Sequence, residues 1–185
     1  MPKQIFLGLI VGSVLSMSAA RATIVCDLAA FPLELQQRVK TEFPSWKIQD
    51  SRNLTENAKA RWQAEKPLAC PGIAAGHFES LTRLSYAVLL VPLTNPNSAY
   101  RLLVFTTTNE EQGALTVVER SDLPGAANGF VRTVPITKVF NADWRRKLNV
   151  GGPEGILFVD AGLDEYETDV YFWSEGKYRH EPIED

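Results

Sequence analysis

Four apolar residues recur at intervals of four near the start of the chain: Phe31, Leu35, Val39 and Phe43. This spacing puts them on one face of an α-helix. Pro32 suits the first turn of a helix, and Pro44 cannot continue one. The pattern therefore predicts a helix over about residues 32–42.

A capping signal indicates a second helix further along. Asn53 can accept a hydrogen bond from the first turn of that helix, and Glu56 can return a bond to the capping residue. Arg61 and Glu65 are four residues apart, as ion pairs on a helix surface are. We expect this helix to end at about Glu65 or Lys66.

Beyond about residue 70 the pattern is typical of strands. Aromatic and β-branched residues predict three strands in an antiparallel meander, over 86–91, 100–108 and 115–120. Further strands are predicted over 131–140, 156–160, 168–174 and 177–180. Glu175-Gly176 would join the last two as a hairpin. Pro135 would place its strand at an edge, and Asp143 can cap a short helix over 144–148.

These elements predict a single α+β domain over residues 23–185. Two N-terminal helices would pack on a mainly antiparallel meander sheet of five to seven strands. The sequence contains no internal repeat and no low-complexity segment that would divide this domain.

The first 22 residues have the pattern of a secretory signal peptide. A short segment with Lys3 precedes an apolar run from Ile5 to Leu15, and Ala20-Arg21-Ala22 resembles a cleavage site. The apolar run is shorter than the roughly 20 residues that cross a bilayer. We therefore expect a periplasmic or secreted protein, cleaved after Ala22, with no membrane span afterwards.

Composition and charge exclude some functions. The chain has 185 residues, a net charge of −3, and only 2 His and 2 Cys. Residues 1–22 contain Lys3 and Arg21 but no acid, so their removal leaves 17 of 19 basic residues against 22 acidic ones, a net charge of −5. A negative chain with so few metal ligands is unlike a nucleic-acid binder or a protein with several zinc sites.

The two cysteines predict a disulfide. In an oxidising compartment, Cys26 and Cys70 can pair only with each other within the chain. Closing a loop of about 45 residues would stabilise the fold by roughly 4 kcal/mol in the chain-entropy model. Because the chain has no Cys-x-x-Cys motif, we expect a structural role for this bond.

Acidic residues are concentrated at the end of the chain. Residues 164–185 contain eight acidic and two basic residues, a local charge of −6. Strand alternation sends Tyr171 and Trp173 to one face and Phe172 to the other. If the rings are exposed beside the acidic residues, this surface would attract a basic protein. If both strand faces are covered and the acidic residues are only solvated, the segment would have no such role. The predicted binding residues are Asp164, Glu165, Glu167, Asp169, Tyr171 and Trp173.

Signals of catalysis and of metal binding are weak. Residues 23–185 contain no Gly-x-Ser-x-Gly motif, and a serine nucleophile would have only His77 or His180 as its base. His77 and Glu79 are metal-ligand types on one side of a strand, but the same pattern is common on sheet surfaces. We predict no catalytic residue, no metal site and no cofactor.

A glycine-rich segment from Gly72 to Leu81 precedes the apolar run Tyr86 to Leu90. This segment, within residues 72–91, resembles a single FG-GAP/VCBS-type unit, in which an acidic glycine-rich turn binds calcium ahead of an apolar strand. The resemblance implies a turn followed by a strand. It keeps Gly76 and Phe78, but the carboxylate positions of the family are occupied by His77, Leu81 and Ser85.

Three functions are compatible with these features. The first is an exported, non-enzymatic protein of the bacterial cell envelope that binds or inhibits a basic protein through its acidic end. The second is an envelope hydrolase that uses carboxylates between Asp160 and Asp169. The third is a structural accessory protein.

Overall fold

A computed structural model describes residues 26–65, 70–107, 114–121, 128–161 and 166–183, without the side chains of residues 30, 119–121, 166 and 167. The predicted signal peptide, residues 1–22, lies outside this description. The helices are α1 Leu33–Glu42, α2 Glu56–Glu65, α3 Ile136–Val139 and α4 Ala142–Lys147, with a short 3-10 helix, Leu28–Ala30, before α1. The strands are β1 Trp46–Ile48, β2 Ile73–Gly76, β3 Ser85–Pro92, β4 Tyr100–Thr106, β5 Ala114–Ser121, β6 Gly129–Pro135, β7 Glu154–Ala161, β8 Tyr166–Ser174 and β9 Lys177–Pro182.

Both N-terminal helices form where the sequence predicts them, but the predicted cap of α2 is wrong. The Thr55 hydroxyl accepts a hydrogen bond from the Ala58 N–H at 3.4 Å, so Thr55 caps α2. Asn53 lies three residues before the first residue of α2. Its side-chain oxygen instead accepts a hydrogen bond from Lys47 Nζ at 3.0 Å.

The strands form two antiparallel sheets. In the first, β3, β4 and β5 make the predicted meander, while β1 and β2 pair in turn with the other edge of β3. In the second, β6 to β9 form a meander of four strands. The α+β class is confirmed, but the described residues contain nine strands in two sheets, not five to seven in one.

The two sheets stack face to face, and one long helix covers each outer face. Alternate residues of β3 show this: Val88 and Leu90 pack under α1, whereas Ala87 and Leu89 face the second sheet. On the second sheet, Phe172 packs under α2 and Tyr171 lies between the sheets. The predicted arrangement, with both helices on one sheet, is wrong because strands with two apolar faces need a cover on each side.

The chain leaves β6 earlier than the sequence predicts. Pro135, at the edge of the second sheet as expected, has φ −60° and no N–H to extend the ladder, and α3 begins at the next residue.

The cap of α4 also differs from the prediction. Asn141, not Asp143, accepts a hydrogen bond from the Trp144 N–H, at 2.9 Å. The Glu175-Gly176 hairpin is confirmed, with both residues at positive φ.

The predicted disulfide is present. Cys26 and Cys70 are bonded, with their Cα atoms 5.3 Å apart. Cys26 lies before α1 and Cys70 lies before β2. The bond therefore ties the segment that leads into the helix of one outer layer to the edge of the sheet beneath it.

Candidate functional site

A cleft of about 450 Å³ opens where the two sheets meet. It runs between β2 and β6, next to the last turn of α2 and the first residue of β7. A ligand-binding cleft is typically between about 300 and 1,000 Å³, so its size suits a small molecule or a short peptide. The lining residues are Trp62, Glu65, Ile73, Ala74, Ala75, Phe130, Val131, Arg132, Thr133, Pro135 and Glu154.

The two walls approach each other closely at their ends. The Val131 N–H donates to the Pro71 carbonyl at 2.8 Å, and the Thr133 hydroxyl donates to the Ala75 carbonyl at 2.8 Å. A Cβ at Gly76 would lie 2.9 Å from both Thr133 Cγ2 and Glu154 Oε2. A side chain at position 76 would therefore displace the ends of these neighbouring side chains.

One wall of the cleft carries a carboxylate between two guanidinium groups. Glu65 Oε1 is 3.2 Å from Arg61 Nε, and Glu65 Oε2 is 2.9 Å from Arg132 Nε. The contact between Glu65 Oε2 and Arg132 Nε is close, but neither of these buried atoms makes a hydrogen bond within the described part of the chain. The two groups are therefore poorly aligned, and a buried donor and a buried acceptor are left without a hydrogen bond among the described residues.

The other end of the cleft carries Glu154. Its Oε2 accepts a hydrogen bond from the His77 N–H at 2.6 Å and lies 3.6 Å from His77 Nδ1. About 30% of the Glu154 side chain is exposed. This carboxylate can therefore still meet a cation from solution.

A second polar cluster, which we call the Glu79 cluster, closes the end of the sandwich beyond β2. Glu79, whose side chain is only 8% exposed, accepts hydrogen bonds from the Thr106 hydroxyl at 2.8 Å and the Tyr178 hydroxyl at 3.2 Å. Ser85 Oγ is 2.9 Å from Thr106 Oγ1, and an Arg83 nitrogen is 3.9 Å from Glu79. Burial, and next the charge of Glu79, raises the pKa of Tyr178 well above its usual value.

The structure describes only part of the surface predicted to bind a partner. Asp164 and Glu165 lie outside the described residues, and Glu167 is described only as backbone in β8. Asp169 Oδ1 is 3.6 Å from His180 Nδ1, with 30% of the Asp169 side chain exposed.

The aromatic part of the predicted surface is mostly covered. Tyr171 is 3% exposed, and its ring stacks on His180 with the centroids 5.4 Å apart. Trp173 is half-buried and packs edge-to-face on Tyr178 at 5.1 Å. Tyr171 therefore packs in the core between the two sheets and is not part of an exposed aromatic surface.

Sequence reasoning missed the cleft. Its charged residues, Glu65, Arg132 and Glu154, are far apart in the chain, and only the Arg61–Glu65 spacing was a local signal. None of the described residues between 160 and 169 lines the cleft. In the described part of the chain there is no group of three metal-ligand side chains, and His77 and Glu79 have different partners.

Comparison with known proteins found no match: no family model, no curated protein and no solved structure shows significant similarity to the chain.

Proposed function

We propose that this protein is an exported, non-enzymatic protein of the cell envelope that binds another, basic protein. The observation that supports it best is how the described carboxylates are held. Glu65 lies between two guanidinium groups, and Glu79 accepts hydrogen bonds from two hydroxyl groups. Carboxylates that are paired with guanidinium groups or with hydroxyl donors serve binding and packing, whereas catalysis needs a nucleophile beside a base or an acid free to give its proton.

Export is supported by the leader pattern of residues 1–22 and by the disulfide. Bonds such as Cys26–Cys70 form and persist in oxidising compartments. None of the helices in the described ranges is long and apolar enough to cross a membrane. We expect the mature chain to start at residue 23.

The basic character of the partner is inferred from the charge at the end of the chain. Residues 164–185 have a net charge of −6, and Asp169, within that segment, is partly exposed. Attraction between opposite charges speeds the encounter with a basic protein, whereas this negative charge repels a nucleic acid. The proposed contacts are Asp164, Glu165, Glu167 and Asp169, with Trp173 beside them.

Affinity capture from envelope extract with the mature protein tests this proposal. A basic partner should be retained at low salt and released at high salt, because salt screens exposed charges. Glu165→Lys combined with Glu167→Lys should abolish capture. The matched control is Glu42→Lys with Glu56→Lys, which makes the same charge change at exposed helix positions and should leave capture intact. Equal capture by both double variants would contradict the proposed surface.

The alternative, a carboxylate-dependent hydrolase, is favoured by one observation. Glu65 and Glu154 both line the cleft, as a pair of carboxylates flanking a scissile bond would. If this function is correct, the mature protein should degrade envelope glycan, and Glu65→Gln or Glu154→Gln should each abolish the turnover. Absence of turnover in the wild-type protein would exclude this candidate for that substrate.

A further inference from the structure

We propose that one end of the sandwich binds the surface of an anionic phospholipid bilayer. This end is formed by the turn 80–84, between β2 and β3, and by the segment 136–150, which contains α3 and α4. We call it the basic end. It is separate from the acidic residues proposed to bind a protein partner, and it is defined by exposed apolar side chains, by unpaired cations and by an open pocket.

Contacts place the two segments at the same end of the sandwich. β2 ends shortly before the turn, and β6 ends just before α3. The Leu148 carbonyl, after α4, accepts a hydrogen bond at 2.6 Å from the hydroxyl of Ser174, the last residue of β8. A Cβ at Gly152 would lie 1.8 Å from the Phe78 carbonyl oxygen, so the chain after α4 touches the chain that leads into the turn. The two segments are therefore neighbours where β2, β6 and β8 all end.

Large apolar side chains of both segments are exposed to solvent. Leu81 is 78% exposed and Trp144, on α4, is 45% exposed, and Leu84 is exposed as well. They are three of the five large hydrophobic side chains that are exposed among the described residues. Leucine and tryptophan beside basic residues are the side chains that enter the interface of a bilayer. The basic end therefore carries apolar groups that lipid can cover.

Basic residues accompany these apolar groups. The two segments contain five basic residues and one acidic residue, a local charge of +4 in a mature chain of −5: Arg83, Lys138, Arg145, Arg146 and Lys147 against Asp143. Asp143 pairs with Arg146, and Lys147 lies over the Trp144 ring, 4.6 Å from its centroid. Arg145 and Lys147 have no ion pair among the described residues. An anionic surface is therefore attracted to this end of an otherwise acidic protein.

Neighbouring carboxylates at this end are already bonded. Glu79 is buried and accepts hydrogen bonds from the Thr106 and Tyr178 hydroxyls. Glu175, in the turn between β8 and β9, pairs with Arg179. These two acids therefore do not neutralise Arg145 and Lys147.

An open pocket of about 570 Å³ lies next to α4, lined by Ala142, Arg145, Arg146, Asn149 and Val150. Arg145 Nε is buried and makes no hydrogen bond among the described residues. The guanidinium groups of Arg145 and Arg146 carry N–H donors in the planar arrangement that matches phosphate oxygens. A phospholipid headgroup brings such a phosphate to the same interface that a tryptophan side chain enters. The pocket therefore suits one lipid headgroup.

The acidic residues proposed to bind a protein belong to the other end of the second sheet. β7 runs from Glu154, which pairs with Pro135, to Ala161, which pairs with the first residue of β8. Asp164 and Glu165 come between β7 and β8 in the sequence. A protein held to a bilayer by its basic end would keep the start of β8 on the side away from the membrane.

Cosedimentation of the mature protein with lipid vesicles tests the proposal. Vesicles of phosphatidylcholine with about one third phosphatidylglycerol should bind the protein at least about tenfold more tightly than phosphatidylcholine alone, and high salt should remove most of this difference. Tryptophan emission should shift to shorter wavelength on binding, and Trp144→Phe should remove the shift while most of the binding remains. Equal binding to both kinds of vesicle, or no binding to either, would overturn the proposal.

Variants locate the contact at the basic end. Arg145→Gln with Lys147→Gln should weaken binding to the anionic vesicles by about tenfold or more, since each basic residue near such a surface strengthens binding roughly fivefold. Leu81→Ser with Trp144→Ser keeps every charge and should weaken binding by at least about fivefold, because it removes the apolar groups that enter the lipid. Wild-type binding by either double variant would overturn the site.

A matched control and a soluble ligand complete the test. Leu33→Ser with Lys40→Gln changes an exposed leucine and an exposed lysine of α1 and should bind vesicles as the wild type does, so an equal loss there would contradict the site. Inorganic phosphate alone should bind with a Kd above about 1 mM in calorimetric titration. Tighter phosphate binding, with wild-type vesicle binding in Leu81→Ser with Trp144→Ser, would replace the membrane surface by a phosphate site.

The two proposals fail separately. Thermal melting of each variant checks that it folds, and Lys147→Gln alone keeps the test valid if Arg145→Gln does not fold. Partner capture from envelope extract without any vesicle binding would overturn only the membrane surface. Vesicle binding without partner capture would overturn only the acidic surface.

Discussion

Two polar regions adjoin β2, and they differ in how completely their carboxylates are bonded. Glu79, beyond the end of β2, is 8% exposed and accepts hydrogen bonds from Thr106 and Tyr178. Glu65, in the cleft along β2, is 23% exposed and has a close but misaligned contact with Arg132. A buried carboxylate that accepts two hydrogen bonds stabilises the fold, whereas the misaligned contact between Glu65 and Arg132 should contribute less.

The surroundings of the two regions fit this difference. The Glu79 cluster joins the first sheet, through Thr106, to the second sheet, through Tyr178. The cleft, of about 450 Å³, lies between β2, β6 and the last turn of α2. The cluster therefore contributes a direct link between the sheets, whereas the cleft leaves its carboxylate partly open to solvent.

Removal of the disulfide should have the largest effect and should weaken both regions. Cys70 lies just before β2, and its bond to Cys26 spans 44 positions of the chain. Cys26→Ala with Cys70→Ala should lower the free energy of unfolding by about 4 kcal/mol. Urea denaturation of the oxidised wild type, the reduced wild type and the double variant measures it. The last two should agree, and a reduced protein as stable as the oxidised one would contradict the prediction.

Gly152→Ala should disturb the packing around the Glu79 cluster and leave the cleft intact. A Cβ at Gly152 would lie 1.8 Å from the backbone oxygen of Phe78, which precedes Glu79. Relieving this overlap requires backbone movement, so we expect a loss of about 3 kcal/mol in unfolding free energy. Gly176→Ala is the control, because it has φ +80° but no atom within 4 Å and should lose about 1 kcal/mol. Equal losses in the two variants would argue against tight packing at Gly152.

The two carboxylates can be compared directly by truncation. Glu79→Ala leaves the Thr106 and Tyr178 hydroxyls without their acceptor and should cost about 2 kcal/mol of stability. Glu65→Ala leaves Arg61 and Arg132, whose side chains are 25% and 33% exposed, without this partner and should cost less than about 1 kcal/mol. Thermal denaturation of both variants gives the difference. A larger loss for Glu65→Ala would reverse the assignment of the two regions.

The last effect should be absent at neutral pH and appear only in alkali. The pKa of Tyr178 is raised in the folded protein, so the unfolded chain loses this proton first, near pH 10. Stability from the neutral phenol is complete below that pH and falls as the pH rises further, by up to about 1.4 kcal/mol per pH unit. Tyr178→Phe should show a shallower alkaline decline than the wild type in unfolding experiments between neutral and strongly alkaline pH. Parallel declines would mean that Tyr178 does not cause it.

Local pattern predicted most of the elements but not their boundaries. The apolar spacing around Leu35 places α1 correctly, and the runs after residue 70 locate β3, β4 and β5. Two short strands, β1 and β2, were not predicted because three or four residues carry too little periodicity. The end of β6 was misplaced because the apolar residues after Pro135 suit a strand and a helix equally well.

The sequence alone determined the two long helices, the main strands and the cysteine pair of this protein, because each depends on neighbouring residues or on the only partner available. Only the tertiary structure decided that there are two sheets, with a helix on each outer face. It also brought Glu65, Arg132 and Glu154 to one cleft from α2, β6 and β7. No local spacing encodes that arrangement, since it depends on how two apolar sheet faces cover each other and on where their edges meet.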